Sequence, residues 1–356
     1  MWVSNELTRR LGLALPIVQA PLGGGPGTPE LTAAASNAGA LGMLGAGYLD
    51  AGDVREAVRR TRRLTDRPFG ANIFLAPPPR RTASAAARAR IALVARGLGL
   101  DDDVPDQPRG LPDADEQLAV LIEEGVAVVS FTFGCPDPGV VDTVREAGAV
   151  TMVTVGSVAE AHAAVVAGAD AVVAQGYEAG GHRGGFLDVA ETPGLVALVP
   201  AVVDAVDVPV VAAGGIMDGR GVVAALALGA QAAALGTAFL RTPEAGTNDA
   251  YRQALREADE TSTVTTSAFS GKPARGIRNH YIDVFDASGV DAEVPDFPVM
   301  NYLTRPLRTS SAASGSAQAQ SLWAGQGARL GRELPAGELV AALAAEARET
   351  LGRLGR

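Results

Sequence analysis

Between Gln175 and Phe186 the chain reads Gln-Gly-Tyr-Glu-Ala-Gly-Gly-His-Arg-Gly-Gly-Phe, which sets an amide, a carboxylate, an imidazole and a guanidinium among five glycines. Those groups belong to Gln175, Glu178, His182 and Arg183. Glycine admits left-handed backbone and lets the main chain lie flush against a ligand. His182 is one of three histidines in 356 residues. The stretch follows a short apolar run, Ala171 to Ala174. A strand that ends in a glycine-rich, histidine-bearing loop is how an α/β-barrel active site looks in sequence. A solvated loop whose glycines only make turns is the competing reading.

Two further glycine turns carry a different chemistry. Ala213-Gly214-Gly215-Ile216 and Leu235-Gly236-Thr237 each end an apolar run. Backbone N–H groups bared by glycine, reinforced by a helix N-terminus, bind phosphate oxygens. In α/β barrels the loops after the last two strands often do this. The pair points to a phosphorylated ligand; tight turns without one are the alternative. Other strand ends complete a polar ring: Gln19-Ala20-Pro21, Asn72, Ser130, Thr132 and Gln175. Amides such as Asn72 and Gln175 donate and accept, which suits the uracil-like edge of a flavin, although a buried amide serves backbone groups equally well.

Positioning these groups requires a regular frame. Strands are expected at 16–20, 41–44, 69–75, 127–131, 150–155, 171–174, 208–213 and 232–235. Helices are expected from a Thr28 cap to Gly39 and over 50–64, 117–125, 139–147, 158–167, 194–205 and 220–228. Pro29 suits a first helical turn, where its missing N–H is harmless. This alternation argues for parallel strands joined by right-handed crossovers. A (β/α)8 TIM barrel over residues 1–242 is the economical closure; a doubly wound open sheet is the alternative that periodicity does not exclude. Residues 80–100 read as a helix with solvent-facing cations, and Asp101 to Asp115 as an acidic loop. Residues 243–356 read as a smaller helical lobe packed on the barrel. Within it Ser267 to Asn279 is loop-like, Ser310 to Gln320 is low in complexity and mobile, and a final helix starts at Ala336.

Composition narrows the function. A formal charge of −10 and a pI of about 4.9 disfavour nucleic-acid and anionic-membrane partners. Aromatics are 4% of a chain that is 47% hydrophobic, so Ala, Val and Leu must fill the core. One cysteine, Cys135, excludes an internal disulfide and a cysteine-rich metal site. His162 and His280 lack metal-ligand spacing, so no metal is expected. The apolar run Val222 to Leu240 is nearly membrane-length, but Gly229, Gln231, Gly236 and Thr237 divide it into a helix and a strand. With no signal-peptide pattern at the N-terminus, a soluble cytoplasmic protein is expected.

Taken together, Gln19-Ala-Pro-Leu-Gly-Gly, Phe69-Gly-Ala-Asn-Ile-Phe, the glycine-histidine stretch, Ala212-Ala-Gly-Gly-Ile and Leu235-Gly-Thr-Ala-Phe-Leu resemble the nitronate monooxygenases, formerly called 2-nitropropane dioxygenases. The tail is similar too, through Ser270-Gly-Lys-Pro-Ala-Arg-Gly-Ile-Arg-Asn, Asn301-Tyr-Leu-Thr and Leu322-Trp-Ala-Gly-Gln-Gly. The resemblance implies an FMN-dependent TIM barrel that oxidises alkyl nitronates with O2 to a carbonyl compound and nitrite. It implies that Ala20, Asn72, Gln175, Gly180, Gly214, Gly215, Gly236 and Thr237 hold FMN and that His182 faces the substrate. There His182 acts as a base on a neutral nitroalkane or holds a nitronate oxygen, and an ordinary pKa of about 6.5 suits proton transfer near neutrality.

Family members often carry a second histidine where this chain has Thr132, which bears on the oxygen-binding side of the pocket and on substrate range. Cys135 invites comparison with barrels that use a cysteine nucleophile, but no basic neighbour in the local sequence activates it. Two other readings stay open. One is an FMN- and NADPH-dependent enoyl-acyl-carrier-protein reductase, which shares the Glu-Ala-Gly-Gly-His loop. The other is a flavin-binding protein without turnover. A homodimer is left open, and the sequence does not fix the physiological substrate.

Overall fold

Helix starts follow local chemistry. Thr28, Asp50, Asp113, Ser157 and Asp218 each accept a hydrogen bond from a backbone N–H two or three residues on. They cap helices Pro29–Asn37, Ala51–Leu64, Ala114–Glu123, Val158–Val166 and Gly219–Ala227, satisfying N–H groups that have no partner inside the helix. The computed structural model describes residues 2–100, 103–105, 110–188, 192–287 and 294–355.

The strands between these helices are short runs rich in Val, Ala and Leu, as expected where both faces of a parallel sheet are covered. They are β1 (Ile17–Gln19), β2 (Leu41–Gly45), β3 (Phe69–Phe74), β4 (Val128–Thr132), β5 (Val150–Val155) and β6 (Ala171–Gln175). A two-residue strand, β7 (Gly181–His182), lies outside the barrel, and β8 (Val210–Ala213) and β9 (Ala232–Leu235) complete it. All eight barrel strands pair in parallel, and β9 closes on β1 with Val18 opposite Ala234. The open-sheet alternative is thereby excluded.

Valine, alanine, leucine and methionine side chains fill the inside. Val18, Met43, Met152, Val211 and Ala234 pack there with Leu7 and Leu11. The two leucines come from an N-terminal helix, Glu6–Leu11, which the sequence reading left unnamed. The Asn5 amide donates to Gln231 O at 2.6 Å and Leu7 N–H to Gln231 Oε1 at 2.9 Å. Gln231 immediately precedes β9, so this helix plugs the N-terminal mouth and leaves the other mouth for chemistry.

The tail departs from expectation in two places. Ser267 to Asn279 is not all loop: β11 (Ala274–Ile277) pairs antiparallel with β10 (Thr263–Thr266) on one side and with β7 on the other, Ala274 opposite His182. Ser310 to Gln320 is ordered. Helix Arg305–Ala313 runs into it, and buried Ser311 holds Ser316 O at 2.8 Å and Ala319 N–H at 3.2 Å. The solvent-facing cations expected near residue 90 also fail in part. Arg90 is half-buried, donates to Phe285 O at 2.8 Å and lies 4.5 Å above the Phe285 ring. Of the Asp101 to Asp115 loop, residues 101–102 and 106–109 lie outside the described residues.

The last helix, Ala336–Leu354, packs Leu339, Val340 and Leu343 on Val222 and Val223. Its backbone comes so close that a Cβ on Gly219 would stand 2.3 Å from Ala347 N. Among the described residues no helix is long and apolar enough to cross a membrane.

Candidate active site

At the carboxyl ends of the strands lies a cavity of about 790 Å³. Each of the nine residues singled out from the sequence lines it: Ala20, Asn72, Gln175, Gly180, His182, Gly214, Gly215, Gly236 and Thr237. The lining also contains Arg305 and Arg308 and, among the described residues, no aspartate or glutamate.

One side is made of bare backbone. Gly214 and Gly215, after β8, sit at φ +131° and +67°, conformations that side chains rarely adopt. Among the described residues the N–H groups of Gly214, Gly215 and Gly236 have no backbone acceptor. The Thr237 hydroxyl accepts from Gly325 N–H at 2.9 Å, which leaves its own proton free to donate. Donors at two adjacent strand ends, with no side chain in the way, form a cradle that suits a phosphate. Gly325 belongs to the tail, and it fits only because Gly180 has no side chain: a Cβ on Gly180 would lie 2.5 Å from Gly325 N. The Trp323-Ala-Gly-Gln-Gly stretch thus closes the cradle, a role that its sequence, far from the barrel turns, did not disclose.

The amides divide in function. Asn72 Nδ2 donates to Ser130 O, Ser130 Oγ and Thr132 Oγ1 at 3.1, 2.8 and 2.9 Å, while its Oδ1 has no partner among the described residues. That oxygen can take the N–H of a uracil-like edge. Gln175 is placed otherwise. Its Nε2 donates to His182 O at 3.1 Å and its Oε1 accepts from Gly184 N–H at 2.7 Å, so both ends of the amide shape the loop. The residues present therefore fit a group such as FMN: the glycine turns would suit its phosphate and Asn72 Oδ1 the edge of its ring.

His182 is carried by β7, which the tail strand β11 holds by pairing. Its Nε2 is 2.9 Å from Ser270 Oγ, and that oxygen is 3.0 Å from Lys272 O. A carbonyl only accepts, and the serine has one proton. Both contacts become hydrogen bonds only if Ser270 donates to Lys272 O and His182 Nε2–H donates to Ser270 Oγ. The neutral ring then keeps its lone pair on Nδ1. Three aromatic rings enclose the imidazole: Trp323, Phe297 and Phe133, with centroids at 5.3, 5.4 and 5.6 Å.

This enclosure corrects the expectation of an ordinary imidazole. Burial, then the charges of Lys272 and Arg308, pull the His182 pKa down to about 3. The ring is neutral at neutral pH, and protonating it is unfavourable. Arg308 donates to Asn301 Oδ1 at 3.1 Å and Ser321 Oγ at 3.4 Å, while its Nε is buried without a partner. Burial lowers its pKa too, and what opposes that is the phenols of Tyr48, Tyr281 and Tyr302, not a carboxylate. A half-buried cation with no acidic partner among the described residues suits an anionic ligand. Neither Arg308 nor Phe297 stands in a motif that betrays it.

Thr132 also lines the cavity. Besides Asn72 it meets Thr154 Oγ1 at 3.3 Å, so the wall there is hydroxylic and does not titrate. Cys135 is half-buried away from the lining, and burial and Asp137 push its thiol pKa up, which keeps it protonated.

Comparisons with known proteins agree with this geometry. The chain is similar to a probable nitronate monooxygenase of Staphylococcus saprophyticus subsp. saprophyticus, 40% identical over 361 residues that cover 99% of this chain and 100% of the relative. Its structure is similar to that of nitroalkane oxidase from Streptomyces ansochromogenes, with a TM-score of 0.89, 44% identity, and coverage of 98% of this chain and 99% of that one. It is also similar to FabK from Thermotoga maritima, with a TM-score of 0.78, 31% identity and coverage of 99% and 98%. The model of the nitronate monooxygenase family matches residues 5–346, and the chain therefore belongs to that family of oxidoreductases.

Proposed function

We propose that the chain uses FMN and O2 to oxidise alkyl nitronates, releasing a carbonyl compound and nitrite. One observation carries the reading. In a chain of formal charge −10, the cavity is lined among the described residues by two arginines and a histidine and by no acid. Such a lining attracts anions against the sign of the whole molecule, since fields are focused inside a low-dielectric cleft.

In this reading the N–H groups of Gly214, Gly215 and Gly236 and the Thr237 hydroxyl hold the FMN phosphate. Asn72 holds the ring edge, and Ala20 and Gly180 line the cofactor. FMN, when bound, supplies the redox chemistry. Residues 1–242 form the cofactor site, and 243–356 close it through Ser270, Arg308 and Gly325.

His182 and Arg308 then act on the substrate. A neutral imidazole beside two cations gains little by taking a proton, so drawing one from a neutral nitroalkane is disfavoured. A nitronate arrives already deprotonated, and the same cations attract it. Arg308 orients it, His182 walls the site as a neutral ring, and the aromatic walls exclude water.

The test is oxygen uptake and nitrite release by the FMN-loaded protein with ethylnitronate, and separately with nitroethane. Nitronate should be turned over at least about 100-fold faster, the scale of one absent general base. Flavin that ignores ethylnitronate but is reduced anaerobically by NADPH would instead establish the reductase alternative.

A further inference from the structure

Among the described residues Phe133 is the one non-glycine with a positive φ, +71°. For a bulky residue this left-handed conformation is an outlier, and it lasts only where the surroundings over-determine it. They do so here on three sides. Thr132 O accepts from Leu75 N–H at 2.9 Å, and Phe133 N–H donates to Gly184 O at 2.9 Å. Behind it, a Cβ on Gly134 would lie 2.4 Å from Leu75 Cβ and 2.5 Å from Leu75 O, so the chain has no slack to rotate. Glycine would take this conformation at no steric cost. The chain places a ring there instead.

That ring is 3% exposed yet lines the cavity beside Thr132. Its centroid lies 4.7 Å from Phe74 and 5.2 Å from Phe297. It meets the His182 imidazole edge-on at 5.6 Å and 83°, and Lys272 Nζ stands 5.1 Å from its centre. The strained residue therefore touches the imidazole, a cation that depresses its pKa, and the loop that carries it.

We propose that Phe133 is a positioning and specificity-determining residue: its ring fixes the plane of His182 and sets how large a carbon substituent fits beside it. The identity of the substrate rests on the nitronate reading above; the strain and the limit on size do not. Edge-on contact is the favoured aromatic geometry, so removing the ring releases the imidazole to tilt. It also opens the cavity by the volume of a phenyl group where the reacting carbon's substituent would lie.

The test compares the FMN-loaded full chain with Phe133→Leu, Phe133→Ala and Phe133→Gly, on ethylnitronate and on the nitronate of phenylnitromethane. In Phe133→Ala, kcat on ethylnitronate should fall about tenfold with KM changed less than about threefold, the pattern of lost orientation. The kcat/KM ratio of the phenyl to the ethyl substrate should rise at least about tenfold, within the range that a pocket's volume commands, with Phe133→Leu between. Phe133→Gly should melt above Phe133→Ala, because only glycine relieves the backbone. An unchanged substrate ratio in Phe133→Ala, or a glycine variant no more stable than alanine, overturns the proposal. Should the parent protein oxidise neither nitronate, the functional reading fails on its own. The size limit is then read from flavin spectral titrations with benzoate and acetate, where the same tenfold swing supports it and an equal response overturns it.

Discussion

Replacing Ser270 by alanine removes one fully buried hydroxyl and little else. It deletes the contacts of 2.9 Å to His182 Nε2 and 3.0 Å to Lys272 O. At about 0.5–1.5 kcal/mol each, the variant should lose about 1–3 kcal/mol of stability. The larger effect should fall on turnover. Without the hydroxyl nothing ties the imidazole proton to Nε2 or holds the ring in its place, so the ring can tilt and either nitrogen can carry the proton. We expect kcat on ethylnitronate to drop about 10- to 100-fold, equivalent to about 1.4–2.7 kcal/mol of barrier, with a smaller change in KM. The assay is steady-state oxygen uptake at matched FMN content, alongside 15N NMR of histidine-labelled protein to read the tautomer. Ser270→Thr keeps the hydroxyl and should recover part of the rate. Parent-like kcat in Ser270→Ala, with the proton still on Nε2, would refute the hydrogen-bond argument for the tautomer.

Other outcomes follow from the same geometry. Gly215→Val forces a β-branched residue to φ +67° with its Cβ 3.1 Å from that of Glu178, at a backbone cost of about 1–2 kcal/mol; FMN affinity by fluorescence titration should fall at least about 100-fold, which corresponds to about 2.7 kcal/mol, and parent-like affinity would place the phosphate elsewhere. Arg308→Met removes the half-buried cation at similar volume, so KM for ethylnitronate should rise about tenfold, or about 1.4 kcal/mol, with kcat nearly kept; an unchanged KM would deny Arg308 a part in anion binding. Because the folded pKa of His182 lies near 3 and the unfolded one near 6.5, only the unfolded chain gains this proton between them. His182 should therefore add up to about 1.4 kcal/mol of lost stability per unit as pH falls below about 6.5. Urea unfolding at pH 7, 6 and 5 of the parent and His182→Asn would show it as a shallower slope in the variant; identical slopes would mean that His182 titrates normally.

Most of the barrel was legible because each unit announces itself locally. Asp50 and Ser157 each cap a helix by accepting from the backbone N–H three residues on, and strands such as Val210–Ala213 are uninterrupted apolar runs. The glycine turns were legible because few residues other than glycine sit at the φ of Gly214 and Gly215. What stays hidden depends on contacts that only the folded chain makes. Lys272-Pro-Ala-Arg-Gly reads as loop by composition, and pairing with β10 on one side and with β7, some ninety positions earlier, on the other makes Ala274–Ile277 a strand. The serine-rich stretch after Arg308 looked mobile because its order comes from buried hydroxyl bonds such as that of Ser311, which no periodicity records. The low pKa of His182 is hidden for the same reason, since the burial that depresses it most and the charges of Lys272 and Arg308 come together only in three dimensions.

The pairing of β7 with β11 also bears on the order in which the enzyme is made. A ribosome delivers β9, and with it every strand of the barrel, before it delivers Ser270, β11 or the Gly325 turn. The nascent chain can close its barrel while the histidine loop still lacks the strand and hydroxyl that orient it. Oxidising power is armed last, by a segment that must dock on a finished scaffold.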